Sequence, residues 1–415
     1  MRHDTPLRKR HDSLRADPAP GAPGAPGDAG PSRPGAATGR RVAPPAVEYV
    51  PYGPPDEEGL IACEVPSTFG SVEAEYAAIR RGAGLLDCPH RGTLRVTGGE
   101  RRDFLDRMLT QDLRTLVPGR VLRSFWLNRQ GRIEGDLAIA EMGDFALIDV
   151  DVHQAAPVAE TLRAFLFTED VAIGDASDEL HHIAAHGPAA QEIVRAAASG
   201  PAEPLASCAA RTFEIAGVVA ALFRRDQTGA PGIEIVVPRA GADAVWEALL
   251  AGGAAGRVRP VGWYAYNIAR IEAGTPLFNI DFGPTNLPHE TGVVEDRVSF
   301  TKGCYLGQEI VARMQNLGRP KQMLVGLRMK EDLLPVAGGQ VFERSGEGAE
   351  RSMGALVGTI TSSTLSPMLG AAPVAFAMLR TAHAEEGATV LVSAEGEQAE
   401  ATVTGLRFWT AEEAS

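Results

Sequence analysis

Cysteine and lysine are scarce in this chain. Of its 415 residues, four are cysteine (Cys63, Cys88, Cys208, Cys304) and four are lysine (Lys9, Lys302, Lys321, Lys330), while arginine occurs 36 times. No two cysteines form a C-x-x-C pair, and their spacing suggests neither a dense disulfide framework nor a self-contained iron–sulfur cluster, which needs about four clustered ligands. No run approaches the roughly 18 uninterrupted apolar residues of a membrane span, and the N-terminus "MRHDTPLRKRHDSLRADP" lacks the apolar centre of a secretory signal. The expectation is a cytoplasmic protein without a membrane partner. A formal charge of -13 and the lack of a basic, aromatic-interleaved stretch argue against direct nucleic-acid binding, which needs a basic face.

What is present is material for two or three domains. Residues 1 to about 45 are dominated by Pro, Gly, Ala and Arg and read as a disordered tail that buries too little apolar surface to offset its ordering entropy. The region 46–320 alternates helical and strand patterns. "SVEAEYAAIRRGAGLLD" has helical spacing with glycine stop signals, "GIEIVVP" and "VVAALFRRD" read as strands, and "VGWYAYNIARIEAGTP" reads as a helix stopped at Gly274. Beyond about 321 the pattern becomes short β-like runs ("MLVGLRM", "ALVGTITSS", "PVAFAML", "TVLVSA", "EATVTGL"). The predicted fold class is an α+β body followed by a small all-β barrel over 321–415.

The scarce residues meet in "TKGCYLGQEIVARM", 301–314. Thr301 is expected to cap a helix whose first turn holds Lys302, Gly303 and Cys304. At that end of a helix the dipole and the Lys302 ammonium would favour a thiolate at Cys304. Gly303 would leave room beside the sulfur, and Gln308 and Glu309 would lie one turn on. The plainer reading makes Cys304 a small buried apolar residue and Lys302 a solvated charge. Cys63, Cys88 and Cys208 have no comparable setting and read as structural.

"KGCYLGQE" resembles the signature of the YgfZ family, folate-binding proteins related to the aminomethyltransferase (T-protein) of the glycine cleavage system. "FLDRMLTQDL", "LNRQGRIEGDLAI", "HGPAAQEIV", "RIEAGTPLFNIDF" and "LPHE", all earlier in the chain, occur in the order that family shows. The resemblance implies an aminomethyltransferase-like fold, two α+β subdomains around a channel that holds tetrahydrofolate, with a C-terminal barrel. Glu234 in "GIEIV" stands where the aminomethyltransferase places a pterin-binding glutamate. Asp136 matches one of that enzyme's paired aspartates, with Gly135 in place of the other; Gln227 and Tyr266 replace a tyrosine and an arginine. Tyr266 and Arg270 are further channel candidates, although Arg270 and Glu272 could instead pair to brace a domain interface.

The implied function is iron–sulfur cluster assembly or repair through the Cys304 thiol. Its partners would be iron–sulfur client proteins or assembly factors, and any effect on tRNA-modifying enzymes would be indirect. The alternative is a tetrahydrofolate-dependent aminomethyltransferase or demethylase-type one-carbon transferase. A third reading is a protein that only senses or stores folate. No metal site is expected.

Overall fold

A computed structural model describes residues 4–13, 47–55, 59–253, 257–345 and 352–409. The α+β body is built on two sheets. One has five strands in the order Arg120–Leu127, Ile133–Glu141, Phe145–Asp151, Arg91–Thr97, Ala172–Asp175, and its described pairings are antiparallel. The other has six, in the order Ala210–Ile215, Val218–Arg224, Gly232–Pro238, Leu180–His186, Ala83–Asp87, Val258–Val261, with only the last pair parallel.

Each sheet buries helices on its outer face and turns its inner face toward the other. Ile233, Ile235 and Val237 pack on the helices Ala190–Ala197 and Ala242–Ala251. Leu137, Ile139, Ile148 and Val150 share a core with Phe104 and Leu105 of the helix Arg101–Met108 and with Val158 and Leu162 of the helix Val152–Arg163. Successive side chains on a strand point to opposite faces, so Val236 meets Val121, Ala138, Ala140 and Leu147 between the sheets. The same alternation carries Glu234, His182, His186, Asp136 and Asp149 onto the inner faces. One part of the inter-sheet space is therefore apolar and the other densely charged.

The C-terminal strands close into a six-stranded barrel, in the order Gln322–Met329, Ala372–Arg380, Ser352–Ser366, Gln340–Ser345, Thr389–Ala394, Glu397–Thr404. Closure removes the sheet edges that would otherwise offer unpaired backbone groups. The sequence pattern had picked out every barrel strand except Gln340–Ser345, a short strand with only partial apolar alternation, buried at Val341 but exposed at Gln340 and Glu343.

The helix Trp263–Glu272 joins body to barrel. The fully buried Arg270 guanidinium donates to Asp281 at 2.6 Å, to Ser362 of the barrel at 2.7 Å and to the Thr275 carbonyl at 3.1 Å. Arg270 is thus an interface brace and not a channel residue. Nor is Glu272 its partner: Glu272 pairs with Arg80 and accepts from Tyr76 at 2.6 Å and from Ser366 of the barrel at 2.5 Å.

The N-terminal expectation is corrected in part. Arg8–Ser13 forms a short helix, and Leu7 and His11 are fully buried. Arg10 pairs with Asp243 at 2.8 Å and with Glu247 at 2.5 Å on the helix Ala242–Ala251, and His11 meets the Tyr49 hydroxyl at 2.7 Å. One leucine and one imidazole suffice because they dock against the body of the protein, a contribution that average composition cannot reveal. The rest of the expected tail, 14–45, lies outside the described residues.

Removing one partner of a buried ion pair strands the other charge, at about 3 to 5 kcal/mol. Arg270→Ala is expected to lower unfolding stability by that order in urea titrations; a loss under about 1 kcal/mol would show that the barrel interface does not depend on this guanidinium.

Candidate functional site

The charged half of the inter-sheet space is a narrow cleft lined by Glu234, Asp136, Tyr266, Gln227, Arg225 and His186, among others. It shares Arg225 and Gln227 with a wider cavity of about 330 Å³, whose walls include Arg123, Phe223, Cys208 and Asp296. That volume lies at the lower end of small-molecule sites. Glu234, Asp136 and Tyr266 are therefore brought together, from two different sheets and the helix that reaches the barrel.

Asp149 holds two of the arginines that line the cleft. Arg91 donates to it at 2.7 Å and Arg225 makes a second, short contact from the loop after Val218–Arg224. Burial alone would raise the Asp149 carboxyl, but the two guanidinium groups outweigh it and hold it well below the usual range. Among the described residues Glu234 has no such pair. Burial, reinforced by the Asp149 charge and opposed by Arg225, pushes its carboxyl up to about 7. In the amide orientation that satisfies both ends, Gln227 donates to Glu234 Oε1 at 3.1 Å and accepts from Tyr266 Oη at 3.3 Å and Arg225 Nη2 at 3.2 Å.

Asp136 accepts from Arg297 Nε at 3.1 Å and from Arg123 at 3.4 Å. Its neighbour Gly135 faces the other way: a Cβ there would come within 3.1 Å of Leu137 and 3.2 Å of Val158. An aspartate at 135 would enter the apolar core, so glycine at this position takes no carboxylate out of the cleft.

The "KGCYLGQE" segment lies elsewhere. Its helix is Gln308–Leu317, capped by Gly307 in a left-handed conformation (φ 79°), not a helix beginning at Thr301. A Cβ on Gly307 would meet the Asn128 carbonyl at 2.7 Å, so glycine lets the segment press against the 128–131 turn. Cys304 stands in the preceding loop, exposed, and lines neither cavity. The helix-dipole argument for a thiolate therefore does not hold.

Lys302 is engaged elsewhere. Its buried ammonium reaches the carbonyls of Asp106 (2.5 Å), Leu109 (3.0 Å) and Gln111 (2.7 Å) and the Asp106 carboxylate (3.1 Å), which makes it an anchor for the end of the helix Arg101–Met108 and the loop that follows. The expectation that Gln308 and Glu309 sit one helical turn from Cys304 fails for the same reason; they open the helix, and neither lines the cleft. Gly303 has open space around it, so the loop is accessible at its tip.

Sequence reading missed Arg225, Asp149, Arg91 and His186. A signal for the last was available, since "LHHIAAH" alternates so that His182 and His186 share a face opposite Ile183 and Ala185.

Among the described residues no group of His, Cys, Asp and Glu is arranged to hold a metal, and no helix is long and apolar enough to cross a membrane.

Comparison with known proteins places the two parts of the chain. Residues 49–302 match the GCVT N-terminal domain and residues 322–409 match the glycine cleavage T-protein C-terminal barrel domain. An aminomethyltransferase of Geobacillus kaustophilus is 30% identical over 354 residues, which cover 83% of this chain and 92% of that one. A probable aminomethyltransferase of Halobacterium salinarum is 29% identical over 353 residues with the same coverage. The crystal structure of glycine cleavage system aminomethyltransferase T from Bartonella henselae superposes with a TM-score of 0.75 at 24% identity, covering 88% of this chain and 94% of that chain, which supports the fold. With both of its domains matched in order, the chain belongs to the glycine cleavage T-protein family.

Proposed function

We propose that the inter-sheet cleft binds tetrahydrofolate and that the protein is a folate-dependent one-carbon transferase of the aminomethyltransferase type, with 46–320 as the folate-binding region and 321–415 as the barrel. The observation that carries this reading is Glu234, a buried carboxyl without an arginine partner of its own among the described residues, set beside Gln227 and Tyr266 where two sheets and a helix converge. Other groups suit a flat ring rich in donors and acceptors, since buried Arg91 Nη2 and His90 Nδ1 line the same cleft without a protein partner among the described residues.

Bound there, tetrahydrofolate would supply the acceptor nitrogens for a one-carbon unit. Glu234 would accept hydrogen bonds from the amino and N–H edge of the pterin. Asp136, held by Arg297 and Arg123, would place a carboxylate against the reactive side of the ligand. The apolar wall of Val121, Ala138 and Phe223 at the wider cavity would exclude water from the rest of the molecule. The family relationship favours this activity over the iron–sulfur reading.

Cys304 supports a second reading, in which the protein is a YgfZ-type folate-binding factor for iron–sulfur clusters in cytoplasmic client proteins. Exposure at the tip of an open loop suits a thiol that meets another protein. The two readings separate cleanly. A transferase forms a one-carbon folate from an aminomethylated or methylated donor without Cys304, whereas the maturation factor loses its effect on client enzymes in Cys304→Ser.

Glu234→Gln is expected to weaken tetrahydrofolate binding by at least about tenfold in calorimetry, because a charged acceptor is worth about 1.5 to 3 kcal/mol. The sign of the pH effect follows from the raised carboxyl. Below about pH 7 the free protein holds a proton that the ligand must displace, so wild-type affinity should rise from about pH 6 to about pH 8 and level off. A pH slope that survives in Glu234→Gln would assign the titration to another group. Cys304→Ser should leave folate affinity within about twofold and unfolding stability within about 0.5 kcal/mol of wild type, as expected for an exposed position; full activation of an iron–sulfur client by this variant would remove the second reading.

A further inference from the structure

His186 ends the strand Leu180–His186 on the inner face of the six-stranded sheet and is fully buried. Its ring lies 5.5 Å from that of Tyr266, between centroids. Across the strand pair, a Cβ on Gly232 would come within 2.8 Å of His186 Nδ1, so the glycine that opens "GIEIV" is what admits the imidazole. Glu234, two residues along, faces the same way. His186 thus lines the cleft together with Glu234, Gln227 and Tyr266.

Neither ring nitrogen of His186 has a hydrogen-bond partner among the described residues. Burial, with help from the Arg225 charge, holds the imidazole down to about 4, so at neutral pH it carries one N–H donor and one acceptor. Buried polar groups in folded proteins are paired with few exceptions, because an unmade hydrogen bond in the interior is costly. Packing alone would be served better by an apolar ring of similar size. The neighbours also divide the chemistry: Glu234 can only accept once ionised, while a neutral imidazole can donate a hydrogen bond from its N–H to a carbonyl oxygen.

We propose that His186 is a ligand-binding residue that determines specificity in the cleft, donating its ring N–H to the carbonyl oxygen of a flat nitrogen heterocycle whose adjacent N–H groups are taken by Glu234. This assignment rests on the folate reading of the cleft. It adds a donor beside the carboxylate, so that an amide-like edge of the ring, N–H next to C=O, is read from both sides.

The test is tetrahydrofolate calorimetry on the full-length wild type, His186→Leu and His186→Gln, with the thermal unfolding midpoint of each ligand-free protein measured in parallel. The expected result is a loss of affinity of at least about tenfold in His186→Leu with an unchanged or higher ligand-free midpoint, since the replacement removes two unpaired buried atoms. His186→Gln, which restores a donor, should bind within about threefold of wild type. Wild-type affinity in His186→Leu would overturn the assignment, as would a lower ligand-free midpoint in His186→Leu with no rescue by glutamine, which marks a structural histidine. Failure of the wild type itself to bind tetrahydrofolate would instead overturn the folate reading, and this inference with it.

Discussion

Two arginines on one buried aspartate set the geometry of the cleft. Asp149 projects from the five-stranded sheet, and Arg91 and Arg225 approach it from a neighbouring strand and from the loop that follows Val218–Arg224 in the opposite sheet. Such a charge is tolerated in the interior only when it is paired and hydrogen-bonded. The pairing does more than neutralise. It ties Arg225, and so one sheet, to the other, and Arg225 in turn touches Gln227, whose amide meets Glu234 and Tyr266. A carboxyl left out of that pairing keeps its proton up to about pH 7. The contrast between two carboxylates on facing strands, one paired and one not, is what makes the cleft chemically uneven and Glu234 available to a ligand.

The helix Trp263–Glu272 shows how closely site and scaffold are joined. Tyr266 looks into the cleft, while Arg270 and Glu272, one turn and more along, hold Ser362 and Ser366 of the barrel. The barrel is therefore clamped to the element that lines the site. The "KGCYLGQE" segment is fixed in the same economical way by Lys302, which gathers three carbonyls from the end of the helix Arg101–Met108 and the loop that follows. Gln111 of that loop lines the wider cavity. The exposed thiol and the cleft are separate places connected by rigid packing.

Much of the fold was legible in the residues. Period-2 alternation marked most of the barrel strands, and apolar spacing with glycine stops marked the helices ending near Gly82 and Gly274. Glu234 and Asp136 were legible as cleft candidates because of their sequence neighbourhood. The expected helix start at Thr301 failed for a physical reason. Gly307 caps the helix at a positive φ, and a side chain there would also meet the Asn128 carbonyl, a contact from a turn about 180 residues earlier that local capping rules do not see. Arg270 and Lys302 were misread as site residues because a charged side chain near a motif looks alike whether it faces a ligand or a carbonyl across a domain interface.

What the residues determined by themselves were the strand and helix periods, and with them which side chains share a face: Glu234 with Val236, Asp136 with Ala138, His182 with His186. Periodicity is a property of the local backbone, so it survives without knowledge of partners. Which faces meet was decided only in the tertiary structure. The packing of the two sheets turned one shared face into an apolar seam and a charged cleft, gave Asp149 two guanidinium partners and Glu234 none among the described residues, buried Lys302 and exposed Cys304. Those outcomes depend on desolvation and on distances between groups far apart in the chain, and neither quantity exists until the chain has closed.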